Sequence, residues 1–122
     1  MKTQVAVVIP NWNGEKYLPE CIDSLLAQTT KCDILVVENG STDGSADLLR
    51  SNYKKVKVIQ LDDNLGFAGG VNAGIRYSIE NDYQYVALLN NDATADKNWL
   101  KHLLVSQEEN PNVGIATCKL LK

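Results

Sequence analysis

The sequence predicts an α/β domain built on a mainly parallel, Rossmann-like sheet with helices on both faces. Short β-branched runs alternate with amphipathic segments along the whole chain, the pattern of right-handed βαβ units. The first run, Val5-Ala6-Val7-Val8-Ile9, is apolar without alternation, as expected of a strand covered on both faces. With 122 residues, 44% of them apolar, the chain has enough material for one compact domain, and one only.

Taken in order, strand Val5 to Ile9 is expected to end at Pro10. From Glu15 to Gln28 the apolar positions Leu18, Cys21, Ile22, Leu25 and Leu26 recur at three- and four-residue steps, which predicts a helix that tolerates Pro19 in its first turn. Strand Ile34 to Val37 follows, then a short helix over Ala46 to Ser51, strand Val56 to Leu61 and a helix from Ala68 to Glu80. Strand Tyr85 to Leu89 leads to a last helix carrying Trp99, Leu100, Leu103 and Leu104, with Asp96 as its N-cap, and Val113 to Cys118 reads as a further strand.

Composition excludes several function classes. Fifteen acidic against twelve basic residues give a net charge of -3, and no run of Lys or Arg could track a phosphate backbone, so nucleic acid is not an expected partner. No apolar run approaches the ~18 residues of a membrane span. Three widely spaced cysteines, Cys21, Cys32 and Cys118, form neither a disulfide framework nor a CxxC zinc site. A cytoplasmic protein with reduced thiols is expected, at the inner face of the membrane in a longer, full-length protein.

In open parallel sheets ligands bind beyond the carboxyl ends of the strands, where strand order reverses. Four loops therefore matter. The first, Pro10-Asn11-Trp12-Asn13-Gly14, offers two amides and an aromatic that can cradle a planar base, although the same residue types make ordinary turns. The second, Glu38-Asn39-Gly40-Ser41-Thr42-Asp43-Gly44-Ser45, begins with a carboxylate suited to a base N–H or ribose hydroxyls; Ser41, Thr42 and Asp43 are better read as caps for the next helix than as ligands. The third, Asp62 to Gly74, contains four glycines at the start of a helix, each costing about 1 kcal/mol when interior. Either close packing on the sheet compensates, or backbone N–H groups face an anion, with Asn64 and Asn72 adding side-chain bonds. In the fourth, Leu88-Leu89-Asn90-Asn91-Asp92-Ala93, the carboxylate of Asp92 could hold a Mg2+ or Mn2+ ion that takes its other oxygens from phosphates; a lone Asp is otherwise a surface turn.

Those four loops, in that order, resemble the N-terminal, nucleotide-sugar-binding part of the family 2 inverting glycosyltransferases of GT-A-type fold. The similar segments are Val8 to Gly14, Val36 to Ser45, Asn64 to Gly74 and Leu89 to Asp92, most of all in the rhamnosyltransferase-like branch. The resemblance implies a UDP- or dTDP-linked sugar donor, a glycan acceptor and a divalent metal. It implies nucleotide-sugar contacts from Pro10, Asn11, Trp12, Asn13, Glu38, Asn39, Asn64, Gly69, Asn72, Asn90 and Asn91, with Asp92 on the metal. Two positions depart from the family pattern: Glu38 stands where Asp is usual, and Asn90 replaces an acid, which leaves Asp92 as the metal carboxylate. The family's catalytic base and acceptor pocket lie beyond the matched segment, and nothing here substitutes for them. His102 reads as a solvated helix residue.

Rival readings fare worse. A sugar-nucleotide pyrophosphorylase would carry a glycine-rich loop with Arg and Lys after the first strand, and a phosphorylation receiver would need paired acids there; Pro10 to Gly14 supplies neither. A noncatalytic fragment that binds donor without turnover is the remaining alternative.

Overall fold

The computed structural model describes residues 5–109 and 115–116. Across these residues the order is β1 (Val5–Asn11), α1 (Leu18–Leu26), β2 (Asp33–Asn39), α2 (Ser45–Asn52), β3 (Lys57–Leu61), α3 (Gly66–Glu80), β4 (Tyr85–Leu88), α4 (Trp99–Glu109) and β5 (Ile115–Ala116). The strands form one sheet in the order β3-β2-β1-β4-β5, and every pairing is parallel. The chain steps outward from β1 to β3, then crosses to the other side of β1, so strand order reverses between β1 and β4. The ends of the expected strand Val113 to Cys118, beyond Ile115–Ala116, lie outside the described residues.

The unbroken apolar run of β1 is used on both faces. Val5, Val7 and Ile9, with Ile34 and Val36 of β2, pack against Leu18, Cys21, Ile22 and Leu25 of α1, Leu49 of α2, and Trp99 and Leu100 of α4. The alternate positions Val8, Leu35 and Val37 face Ala73 and Tyr77 of α3. With roughly 1.5–3 kcal/mol for each large apolar side chain fully buried, the first face dominates stability.

Two strands run further than their sequence suggests. Pro10 does not end β1, because Pro10 and Asn11 stay in register with Val37 and Glu38 of β2. Leu89 N donates to Val8 O at 3.1 Å, so the main-chain groups of Val8, and those of Pro10 two residues on, point toward β4. There β4 has already ended at Leu88, opposite Val8, and the missing proline N–H costs no ladder bond. Likewise β2 continues through Glu38 and Asn39, paired with Gln60 and Leu61, so neither is a loop residue.

Helix boundaries shift for local reasons. α1 begins at Leu18 instead of Glu15, because Tyr17 N and Leu18 N close a turn on Gly14 O; Pro19 lies in its first turn as expected. Asp96 stands one turn ahead of α4, its Oδ2 accepting from Asn98 N and its carbonyl from Trp99 N. α3 starts at Gly66, with glycines inside it. A Cβ on Gly74 would overlap Val8 Cγ1 and lie 3.2 Å from Val37 Cγ2. Close packing on the sheet therefore explains that glycine.

Candidate functional site

At the carboxyl end of the sheet β1 and β2 finish side by side, with Asn11 opposite Glu38. Both are buried, at 1% and 0% exposure, which is unusual for a carboxylate unless it is fully partnered. Three donors supply that partnering. Asn11 Nδ2 donates to Glu38 Oε1 at 2.8 Å, Ser41 N to Oε2 at 3.1 Å, and the Ser41 hydroxyl to Oε1. Asn11 passes the network on, because its Oδ1 accepts from Asn91 Nδ2 at 2.9 Å. The ends of β2, β1 and the loop after β4 are thus joined by side chains alone.

Beside this chain of bonds the loops after β1 and β2 are stitched together. Asn13 adopts a left-handed backbone (φ 52) and its Oδ1 accepts from Thr42 N at 2.7 Å and Asp43 N at 3.2 Å, while its own N–H donates to Ser41 Oγ at 2.8 Å. Glu15 N donates to Asp43 Oδ2 at 3.1 Å, and Glu15 Oε1 accepts from Gly44 N at 3.0 Å. Asp43 also caps α2, accepting from Ser45 N at 2.9 Å and Ser45 Oγ at 2.6 Å. Of the three residues expected to cap, Asp43 does so. Ser41 instead holds Glu38.

A cavity of about 300 Å³ opens above this floor, lined by Pro10, Asn11, Trp12, Asn39, Asn64, Gly66, Phe67 and Asn91. Trp12 and Phe67 are 53% and 65% exposed, an arrangement that leaves two aromatic surfaces available to a ligand. Asn39 pins the start of α3 to the sheet: its Oδ1 accepts from Leu65 N at 2.8 Å and its Nδ2 donates to Gly66 O at 2.9 Å. Asn64 Oδ1 accepts from Gly66 N at 2.7 Å. Asn64 thus stands to α3 as Asp43 stands to α2, and the start of this 15-residue helix, at Gly66 and Phe67, forms part of the cavity wall.

One residue past Asn91, Asp92 lies exposed in the turn after β4. The turn is supported from below by Cys21, whose thiol donates to Asn90 O at 3.4 Å. Burial, with a smaller contribution from the Asp92 charge, pushes that thiol up to about 12, so it keeps its proton and the bond through neutral pH. Among the described residues no cluster of three or more His, Cys, Asp or Glu could cage a metal. A single exposed carboxylate beside neutral amides fits only an ion that draws most of its ligands from phosphate and water.

Comparison with known proteins decides the family. A family profile described as "Glycosyl transferase family 2" matches residues 6–119. The chain belongs to that family. It is 29% identical over 113 residues to glycosyltransferase GlyG of Streptococcus pneumoniae, covering 89% of this chain and 36% of that protein. It is 31% identical over 112 residues to the putative teichuronic acid biosynthesis glycosyltransferase TuaG of Bacillus subtilis, covering 88% and 42%. The structure of S. aureus TarS 1-349 in complex with UDP-GlcNAc superposes with a TM-score of 0.77 at 25% identity, covering 89% of this chain and 32% of that 1-349 chain. The mannosyltransferase PcManGT of Pyrobaculum calidifontis, in complex with GDP-Man and Mn2+, shares the fold, with a TM-score of 0.71 at 19% identity over 85% of this chain and 32% of that one. The chain thus spans about a third of the length of the relatives it matches first.

Of the residues that the family-2 motifs point to, Pro10, Asn11, Trp12, Asn39, Asn64 and Asn91 meet at the cavity. Glu38 lies beneath it, and Asn13 faces the loop after β2. Gly69, Asn72 and Asn90 do not line it; Asn72 is exposed on α3 and Asn90 in the loop after β4. His102 is exposed on α4. Three residues of the site are not among those expected. Gly66 and Phe67 lie in the glycine-rich segment without being singled out, and Ser41 looks like a cap; the signal for Ser41 is its position three residues after a carboxylate near the end of a buried strand.

Proposed function

We propose that this chain binds a nucleoside-diphosphate sugar, UDP- or dTDP-linked, in the cavity between β1 and α3, for transfer of the sugar to a glycan acceptor. The observation that carries the reading is the cavity itself: it sits where strand order reverses, over a sealed polar floor, with two exposed aromatic side chains and the start of α3 on its walls. Trp12 offers its face to the base. Glu38 orders Asn11 and Ser41 for contacts to ribose or base. The first turn of α3 presents N–H groups to the diphosphate. That TarS is described with UDP-GlcNAc and with UDP supports a uridine donor.

Asp92 is the residue assigned to a divalent ion, Mg2+ or Mn2+. When bound, such an ion supplies charge neutralisation for the departing diphosphate. The inverting course and the rhamnosyltransferase-like branch rest on the four loop motifs. Among the described residues no carboxylate lines the cavity, so the chain is assigned donor binding, and glycosyl transfer by these 122 residues alone is expected near background. A cytoplasmic location is part of the same reading, supported by the free thiols of Cys21 and Cys32. No helix among the described residues is long and apolar enough to cross a membrane. Titration of UDP, dTDP and GDP, each with and without Mn2+, tests the assignment. Selective, metal-enhanced binding of UDP or dTDP is expected, and binding of none of the three contradicts it.

A further inference from the structure

Glu38 accepts from three donors, so only the Nδ2 end of Asn11 can face it. The Oδ1 end of Asn11 must then point the other way, where it meets Asn91 Nδ2. That bond in turn fixes Asn91, a residue of the cavity wall, with its Nδ2 turned into the floor and its Oδ1 left for a ligand. Each amide could be reversed in isolation at little cost; linked to a carboxylate that only accepts, neither can. The backbone presses on the same place, since a Cβ on Gly14 would overlap both Asn11 Oδ1 and Asn91 Nδ2.

We infer that Glu38, acting through Asn11, sets the orientation of the Asn91 amide, so that the cavity wall presents the Asn91 oxygen as an acceptor for a hydroxyl of the donor. Glu38 and Asn11 are positioning residues in this relay, and Asn91 is the residue that touches ligand. The inference rests on the donor-binding reading for its ligand, but the relay itself is a property of the folded chain.

The direction of the relay makes an unusual prediction. In Asn91→Asp a pure acceptor faces Asn11 Oδ1, and Asn11 cannot reverse because its oxygen would then meet Glu38. In Glu38→Gln alone, the new amide accepts from Ser41 N and turns its NH2 to Asn11, so Asn11 and Asn91 both reverse and the Asn91 nitrogen, not its oxygen, faces the ligand. Combined, the two changes fit. The new amide at position 38 accepts from Ser41 N and donates to Oδ1 of a reversed Asn11, and Asn11 Nδ2 then donates to the new carboxylate at position 91. Glu38→Gln should therefore lower the UDP affinity of the parent chain, by turning the Asn91 nitrogen to the ligand, and raise both the UDP affinity and the melting temperature in the Asn91→Asp background. About a tenfold change in affinity is expected in each direction.

The experiment measures melting temperature and UDP binding with Mn2+ for the four chains, at a temperature where all are folded. The extra charge at position 91 is common to both members of the second comparison. Nuclear Overhauser contacts from the Asn11 side-chain NH2 distinguish the relay from relief of charge repulsion: they run to residue 38 in the parent and to residue 91 in the double variant. Additive effects, or a rescue with the Asn11 contacts unmoved, overturn the relay. If the parent binds no UDP, the donor reading fails, while the melting temperatures and Asn11 contacts still decide the relay.

Discussion

Glu38 and Asp92 both stand at the carboxyl end of the sheet, in two regions built to opposite rules. Around Glu38 the ends of β1 and β2 are sealed: the carboxylate is fully buried under three donors, and the neighbouring loops are tied to each other by at least five further bonds through Asn13, Ser41, Asp43 and Glu15. Around Asp92 and the first turn of α3 the side chains face outward, with Trp12, Leu65, Phe67 and Asp92 exposed. The difference separates rigidity from contact. A polar network satisfied within the protein has little left to give a ligand, but it fixes the groups that do. An exposed aromatic or carboxylate contributes little to folding and lies where a ligand can reach it.

The contrast is tested first where the effect is largest. Glu38→Ala removes the acceptor for Asn11 Nδ2, Ser41 N and Ser41 Oγ at once, and leaving buried donors unmet should cost about 3 kcal/mol of stability. Nucleoside affinity should fall roughly ten- to a hundredfold even without metal, by loss of about 1.5–3 kcal/mol. Denaturant unfolding and titration of uridine monophosphate measure the two separately. A stability change below about 0.5 kcal/mol would show that the network is ornamental.

Gly14→Ala probes the sealed side by steric means. Its Cβ would overlap both Asn11 Oδ1 and Asn91 Nδ2, which requires the loop to move. A loss of roughly 1–3 kcal/mol in unfolding free energy is expected, as for other overpacked sites.

Trp12→Ala, on the open side, should change stability by no more than about 0.5 kcal/mol. Its effect belongs to binding, where loss of base stacking should cost roughly 1–3 kcal/mol in nucleoside affinity, read by calorimetry. Equal affinity in this variant would move the base away from Trp12.

The two regions also differ in how far the sequence discloses them. The element order, the double-faced burial of β1, the Asp43 cap and the convergence of four loops follow from periodicity and turn chemistry, which are local. Pro10 inside β1 could not be foreseen, because it depends on where β4 stops pairing with β1. The depth of Glu38 depends on partners supplied by other segments, Asn11 from 27 residues earlier and Ser41 folding back from the loop. Gly74 is ambiguous in the sequence and is explained only by Val8 packed against it. For Phe67, exposure is the clue, and exposure is a property of the folded chain.

The decisive question is whether the open region binds a nucleoside diphosphate with help from a metal held at Asp92. Calorimetric titration of UDP and dTDP, with and without Mn2+, into the parent chain and into Asp92→Ala answers it. Metal-enhanced binding is expected in the parent and loss of that enhancement in the variant. The two unfolding free energies should agree within about 0.5 kcal/mol, because Asp92 is exposed in a turn. Mn2+-dependent affinity that survives unchanged in Asp92→Ala would refute the metal assignment.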